Sequence, residues 1–205
     1  MEVQIKLMKN AFREMTRAQY YLANMKDHDL DKAYGIICWQ ADYLRSKGIN
    51  QYPVPYPTTV ELHRRQEKDY NFCLYDSSND QIAVFASVIP SGIPDGWKDF
   101  EPTESYVWIS SLFTSKEYKG NGLGYKMMSE IESKSKREGF RLALLDTHVE
   151  YGNFLVEYYS AIGYEEVVRR SIVYPTNTFQ GALMKKRLCT MMIDHGLSEI
   201  ITNVE

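Results

Sequence analysis

A glycine-rich turn, K-G-N-G-L-G at 119–124, joins a strand-like segment to a helix-like segment. Glycine costs up to about 1 kcal/mol relative to alanine inside a helix, so glycines placed here indicate a conformation or a close approach that side chains would block. The first N–H groups of a helix have no internal partners and lie at the positive end of its dipole. The turn therefore predicts a phosphate-binding loop, with a plain glycine-rich turn as the alternative.

The spacing of the glycines separates this loop from two common nucleotide-binding loops. A P-loop requires G-x-x-x-x-G-K-S/T, and the sequence contains no such run. A Rossmann turn requires G-x-G-x-x-G, and counting from Gly120 the last glycine position holds Tyr125. Neither a P-loop nor a Rossmann turn is therefore expected.

Apolar periodicity around the turn alternates between strand-like and helix-like stretches. Strands are predicted at 19–25, in two runs within 71–89, and at 105–114, 140–148, 164–174 and 181–188. Helices are predicted between Leu30 and Gly48, at 59–69, directly after the glycine turn, and at 152–163, where Phe154, Leu155, Tyr158, Tyr159 and Ile162 form the apolar stripe. This order predicts an α/β (α+β) domain with one mixed sheet over residues 18–188, with a lead-in at 1–17 and a tail at 189–205.

Composition and charge exclude several functional classes. The net charge is −3 and the basic residues are interleaved with Asp and Glu, which gives no footprint of nucleic-acid binding. Cys38, Cys73 and Cys189 are far apart, so neither a disulfide framework nor a zinc site is expected, and no metal is predicted. The sequence has no run of about 18 apolar residues that would suit a membrane span. A cytoplasmic protein that binds neither nucleic acid nor membrane is expected.

Two segments resemble the signature motifs of the GNAT superfamily of acetyltransferases. The glycine turn is similar to the family's R/Q-x-x-G-x-G/A loop, with Gly122 and Gly124 in the glycine positions. The segment EYYSAIGY (157–164) is similar to the family's fYeklGF motif, with Tyr159 in the tyrosine position and Gly163 in the glycine position. The segment WQADYLRSKGINQY (39–52) resembles the first-helix region of some bacterial members. The resemblance implies the GNAT acyl-CoA N-acyltransferase fold, a single mixed, mostly antiparallel sheet flanked by helices.

The sequence departs from the family's motifs at two positions. Lys119 stands where arginine or glutamine is usual, which removes bidentate geometry from the side chain, and Tyr164 replaces phenylalanine. Asn121 is expected to supply an amide N–H and a left-handed conformation. Lys126, one turn into the helix, is expected to lie either near a phosphate or in solvent.

The resemblance implies that the donor is acetyl-CoA. Its pyrophosphate would rest on the backbone of the glycine turn, and its pantetheine arm would pair with the fourth strand where that strand diverges from the fifth. The implied donor-binding residues are Lys119, Gly120, Asn121, Gly122, Leu123, Gly124 and Tyr125 in the turn and Leu112, Phe113 and Thr114 in the strand. The N–H of Leu112 or Phe113 would polarise the thioester carbonyl. Pantetheine recognition leaves the length of the acyl chain open.

The resemblance further implies direct acetyl transfer to an amine, with Tyr159 as the acid that protonates the leaving thiolate. A phenol has a pKa near 10, close enough to that of a thiol for this transfer. The alternative is that Tyr159 only packs in the core. Many family members carry a glutamate base on the fourth strand, and this sequence has no acid there. His148 is the candidate base because its ordinary pKa lies near neutrality, with Asp146, Glu104 or a water chain as alternatives.

The expected function is acetyl-CoA-dependent N-acetylation of a primary amine on a small molecule or of a free amino terminus. The alternative is a non-catalytic acyl-CoA-binding regulatory module of the same fold. The absence of an acidic residue on the fourth strand favours this alternative, and Tyr159 disfavours it. The acceptor is expected between the first two helices, the loop at 90–104 and the end of the fifth strand. Aromatic candidates for its pocket, each also explained by packing, are Trp39, Tyr52, Tyr56, Trp97 and Trp108. The tail and the family's tendency to pair suggest a homodimer.

Overall fold

Alternating apolar stretches form seven strands of one sheet within the residues that the computed structural model describes, which are 19–49, 59–149, 152–174 and 177–188. The strands are β1 (Tyr20–Asn24), β2 (Asn71–Asp76), β3 (Gln81–Pro90), β4 (Tyr106–Thr114), β5 (Leu142–His148), β6 (Glu165–Tyr174) and β7 (Asn177–Arg187). The α-helices of these ranges are α1 (Leu30–Ser46), α2 (Thr59–Gln66), α3 (Leu123–Arg137) and α4 (Phe154–Ala161). None of these helices has both the length and the apolarity needed to cross a membrane.

The strand order across the sheet is β1-β2-β3-β4-β5-β7-β6. Every neighbouring pair is antiparallel except β4 and β5, which run parallel and are joined by the crossover through α3. A parallel pair requires such a crossover because its strands begin at the same edge of the sheet. The predicted single mixed, mostly antiparallel sheet flanked by helices is confirmed.

The parallel pair opens partway along its length. Pairing between β4 and β5 ends at Trp108 and Leu144, while β4 continues to Thr114. Just beyond the opening, Ser111 and Leu112 lie opposite the single β3 residue Ala86, and Ser111 has a φ of 57°. Such a bulge bends the strand and turns its side chains. Residues 110–112 are half-exposed although the preceding four residues of β4 are buried, so a cleft opens between β4 and β5.

Helices cover both faces of the sheet. On one face, Leu123, Met127 and Ile131 of α3 are buried in a cluster that includes Val107 and Leu145. Spacings of three and four residues place these side chains along one side of the helix, and burying each contributes about 1.5–3 kcal/mol. On the other face, four buried side chains of α1 and α2 pack on β2 and β3; they are Leu30, Ala33, Ile37 and Leu62.

The loop predicted at 90–104 contains a short 3-10 helix, Asp95–Phe100. Its Trp97 is fully buried in a cluster with Trp108, Leu144 and Ile172. Both tryptophans therefore contribute to packing. The 3-10 helix therefore covers β4 and β5 on the face opposite α3, whose cluster contains the alternate residues Val107 and Leu145.

Several predicted boundaries and one predicted stripe differ from the structure. Helix α2 ends at Gln66 and not at 69, and β7 begins at Asn177, four residues before the predicted strand. The placement of Phe154 in the apolar stripe of α4 was wrong, because Phe154 is 67% exposed. Val156 and Tyr159, three residues apart, occupy the buried side of that helix instead. The lead-in, the tail, Tyr52 and Tyr56 lie outside the described residues.

Candidate active site

The glycine turn begins α3 with a left-handed backbone. Gly122 precedes the first residue of the helix with a φ of 69°, and Gly120 has a φ of 80°. Glycine adopts this region without the steric cost that other residues incur. Asn121 does not have a positive φ, so the left-handed conformation expected there was wrong. Its side-chain amide donates to the Tyr118 carbonyl at 3.4 Å.

The N terminus of α3 has room for an anion. Gly122 makes no side-chain capping bond to the first turn, and a Cβ placed on Gly120 would meet nothing within 4 Å. The N–H groups of Leu123 and Gly124 have no partners inside the helix, as at every helix start. An exposed backbone with uncapped donors at a dipole's positive end fits a phosphate group.

The open edge of β4 leads from the bulge to this turn. Phe113 and Thr114 pair with β3 at one edge, and the β5 edge of the strand is open at this level. The Ser115 N–H donates to the Ala83 carbonyl of β3 at 2.9 Å. Because successive peptide groups point to alternate edges, the Thr114 N–H faces the cleft and the Phe113 N–H faces β3. Of the two predicted thioester contacts, Leu112 thus remains the candidate.

Two adjacent tyrosines of α4 have different surroundings. Tyr159 is 9% exposed and packs edge-on against Tyr164 and Tyr158, with ring centroids 5.9 and 5.1 Å away. The Tyr158 hydroxyl lies beside the start of α3, 3.1 Å from where a Cβ on Gly124 would stand. Burial raises the pKa of Tyr158 to about 12, with Glu132 and Tyr125 adding to the effect. The Tyr158 hydroxyl therefore stays protonated at neutral pH.

Sequence reasoning placed Tyr158 in the packing stripe and missed this position beside the turn. A signal was present in the sequence, since two consecutive helical residues point about 100° apart and their side chains extend in different directions. The predicted roles of Tyr159 as the acid and of the turn residues in donor binding remain predictions.

The predicted base candidates lie in three different settings. His148 ends β5, is buried, and stacks on Phe179 with ring centroids 5.0 Å apart. Asp146 accepts a hydrogen bond of 2.9 Å from the Trp97 indole. Glu104 pairs with Arg187 at 2.9 Å at the start of β4, roughly 20 Å along the strand from the bulge. The structure therefore keeps His148 and Asp146 at the cleft end of β5 and separates Glu104 from the site.

The two lysines near the turn also have assigned contacts. The Lys119 ammonium donates to the Gln40 side-chain oxygen at 2.5 Å and lies 4.4 and 4.6 Å from the ring centroids of Trp39 and Tyr43. This side chain is thus directed at α1, and burial lowers its pKa. Lys126 is buried and pairs with Glu130 at 3.2 Å, so the second of its two expected placements, in solvent, is excluded.

Asp146 gives a testable pH dependence of stability. Burial raises the pKa of this carboxyl, and the hydrogen bond from Trp97 offsets part of the rise. A group with a raised folded-state pKa contributes its full stability below the unfolded pKa near 3.9 and loses it as pH rises through the folded value. We expect Asp146→Asn to raise the free energy of unfolding at pH 7, with the gain shrinking towards pH 4.

Urea denaturation of both proteins from pH 4 to pH 8 measures this difference. Asp99→Asn is the matched control, because Arg170 lowers the pKa of Asp99 and the pH trend should have the opposite sign. A gain from Asp146→Asn that does not change with pH would contradict the prediction.

Comparisons with known proteins agree with this geometry. The sequence model of the acetyltransferase (GNAT) family matches residues 38–164, which is more than half of the chain. No curated protein matches the sequence at a significant level.

Solved structures show the same fold at low sequence identity. A GNAT-family acetyltransferase from Streptococcus agalactiae is 14% identical with a TM-score of 0.67, over 82% of this chain and 95% of that chain. The ribosomal-protein-S18-alanine N-acetyltransferase from Escherichia coli is 17% identical with a TM-score of 0.60, over 85% and 97%. An acetyltransferase structure from Salmonella typhimurium, with its cofactor acetyl-CoA, is 13% identical with a TM-score of 0.60, over 84% and 96%.

The region matched by the family model contains both the glycine turn and the tyrosine-bearing helix α4. The match begins in the middle of α1 and ends just after α4, so it includes β4 and β5 on the two sides of the cleft. This chain therefore belongs to the acetyltransferase (GNAT) family.

Proposed function

We propose that this chain is an N-acetyltransferase that moves an acetyl group from acetyl-CoA to a primary amine of a small molecule or to a free amino terminus. The observation that carries this proposal is the cleft between β4 and β5, whose open β4 edge leads directly to the uncapped N terminus of α3. One continuous backbone surface thereby offers N–H groups first to an extended chain and then to a diphosphate.

The residues at this surface fit such a donor. The Thr114 peptide faces the cleft, and the turn from Lys119 to Gly124 presents backbone without side chains at its glycines. Tyr158 adds a protonated hydroxyl beside Gly124, within reach of a group seated on the helix start. Bound acetyl-CoA would supply an acetyl group activated as a thioester. Lys119 contacts α1, so we assign phosphate binding chiefly to the backbone.

The chemistry requires two proton movements. The amine nitrogen bonds to the acyl carbon while the carbon–sulfur bond breaks, the nitrogen loses a proton and the thiolate gains one. We assign Tyr159 as the proton donor to sulfur, from its position in the family motif. We assign His148, at the cleft end of β5, as the candidate acceptor of the amine proton.

One observation favours the second candidate, a non-catalytic acyl-CoA-binding module. The half-exposed part of β4 at the cleft carries Ser110, Ser111 and Leu112 and no carboxylate that could accept a proton. A binding module would bind acetyl-CoA with the same surface and release no CoA when amines are added.

A thiol-release assay tests the two functions against each other. The purified protein is mixed with acetyl-CoA and a panel of amines and amino-terminal peptides, and free CoA thiol is followed over time. We expect release that depends on at least one amine, with the acetylated amine found by mass spectrometry. Acetyl-CoA binding without any amine-dependent release would overturn the enzyme and support the module.

A further inference from the structure

A cationic side chain lies beside the bulge of β4, on the face of the sheet that α1 and α2 cover. Arg65 of α2 places Nη1 3.3 Å from the hydroxyls of both Ser87 and Ser111. Its Nε donates to Glu61 one helical turn earlier at 3.0 Å. The Arg65 side chain is 20% exposed. The guanidinium is therefore held beside the bulge, on a side chain that is not fully buried.

A chain of hydrogen bonds fixes Arg65 to the sheet. The Ser87 hydroxyl donates to the Asn71 side-chain oxygen at 2.8 Å, and the Asn71 amide donates to the Leu62 carbonyl of α2 at 2.9 Å. Ser87 and Asn71 are fully buried. Because the Ser87 hydrogen is given to Asn71, its oxygen accepts from Arg65. The guanidinium position thus follows from buried groups and not from a flexible surface contact.

The positive charge of Arg65 is only partly neutralised by its neighbours. Glu61 is shared with Arg64, whose Nη2 lies 2.6 Å from the second carboxylate oxygen. One carboxylate therefore faces two guanidinium groups, and the serine hydroxyls carry no charge. A guanidinium presents several donors in a planar fork that matches a carboxylate, so an anionic group entering here would be bound strongly.

We propose that Arg65 binds a carboxylate carried by the acceptor close to its reactive amine, so that the preferred substrates are amino acids or similar amino-carboxylates. This inference rests on the proposed acetyltransferase function. The same cation disfavours a neighbouring ammonium and so favours the neutral, nucleophilic amine. An amine that is already neutral has less need of a carboxylate base on β4, where this sequence has none.

Paired acceptors test the proposal directly. Each pair consists of an amino acid and its amide, for example β-alanine and β-alaninamide, and kcat/KM is measured for both. The carboxylate of the acid stabilises the ammonium form of its amine, and the amide has no such group. At a given pH more of the amide is therefore the neutral, reactive amine, so intrinsic reactivity favours the amide. We expect the acid to be preferred by about 10- to 100-fold in the native protein, as for a hydrogen bond to a charged group.

Variants at two adjacent arginines assign that preference. Arg65→Gln should abolish the preference, mainly through a higher KM for the acid, and Arg65→Lys should keep part of it. Arg64→Gln removes the same charge from the same helix at a side chain that is 66% exposed. It should keep most of the preference, with a small loss because Glu61 then pairs with Arg65 alone. Acetyl-CoA affinity and thermal unfolding of Arg65→Gln and Arg65→Lys report whether the donor site and the fold persist.

The outcomes separate this inference from the proposed function. Amine-dependent CoA release with equal use of acid and amide overturns the role of Arg65 alone. An equal loss of preference in Arg64→Gln and Arg65→Gln also overturns it, because the charge would then act at long range. No release with any amine overturns the proposed function and this inference with it.

Discussion

Replacing Gly122 with valine should weaken acetyl-CoA binding by at least about 100-fold, because bonds from N–H groups to a charged phosphate contribute about 1.5–3 kcal/mol each. Gly122 holds a φ of 69° at the start of α3. The left-handed region costs a residue with a Cβ about 1–2 kcal/mol, and a β-branched side chain rarely adopts it. Valine would therefore turn the backbone away and move the N–H groups that face the donor.

The matched control for this variant lies at the other end of the same helix. Gly139 has a φ of 89°, and a Cβ there would meet nothing within 4 Å. Gly139→Val should lose comparable stability while keeping donor affinity. Calorimetric titration with acetyl-CoA and thermal unfolding compare the two variants. Unchanged affinity in a folded Gly122→Val protein would place the phosphates elsewhere.

Removing the Tyr159 hydroxyl should lower kcat by about 100-fold or more, which is the contribution typical of a general acid. Tyr159→Phe keeps the ring that packs edge-on against Tyr158 and Tyr164, so the fold and the acetyl-CoA affinity should remain near native values. Steady-state kinetics with a saturating amine measures kcat, and calorimetry measures the acetyl-CoA affinity.

The neighbouring tyrosine gives the matched comparison. Tyr158→Phe removes a hydroxyl beside Gly124, so it should weaken acetyl-CoA binding by about fivefold, as for one hydrogen bond, and change kcat little. If the two variants exchange these effects, Tyr158 is the acid and Tyr159 is a packing residue.

Much of the fold follows from periodicity along the chain. Helix α1 keeps its predicted apolar side, with Leu30, Ala33 and Ile37 buried. The apolar run of β5 is buried on both sides, as expected of a strand between two helical layers. Phe154 was assigned wrongly because hydrophobicity alone does not say which of two adjacent apolar residues, Phe154 or Leu155, faces the core.

The special backbone of the glycine turn was predictable because its signal is local. The left-handed conformation favours glycine, and Gly120 and Gly122 adopt it. Asn121 was also expected to adopt the left-handed conformation. It does not, because the glycines on both sides of it make the turn.

The acceptor side of the site was not predictable from the sequence. A bulge adds one residue without changing the apolar pattern, so Ser111 looked like an ordinary strand residue. Arg65 lies in a polar stretch, T-V-E-L-H-R-R-Q, typical of a solvated helix face. Only the packing of α2 on the sheet distinguishes Arg65, at the cleft, from Arg64, in solvent.

Titration of the purified protein with acetyl-CoA tests whether the turn at 119–124 binds the donor, with acetyl-phosphopantetheine, which lacks the adenosine 3′,5′-diphosphate half, as the control ligand. We expect saturable binding of one acetyl-CoA per chain and much weaker binding of the control, because the turn would hold the diphosphate. Equal affinity for both ligands, or no binding at millimolar acetyl-CoA, would contradict this role of the turn.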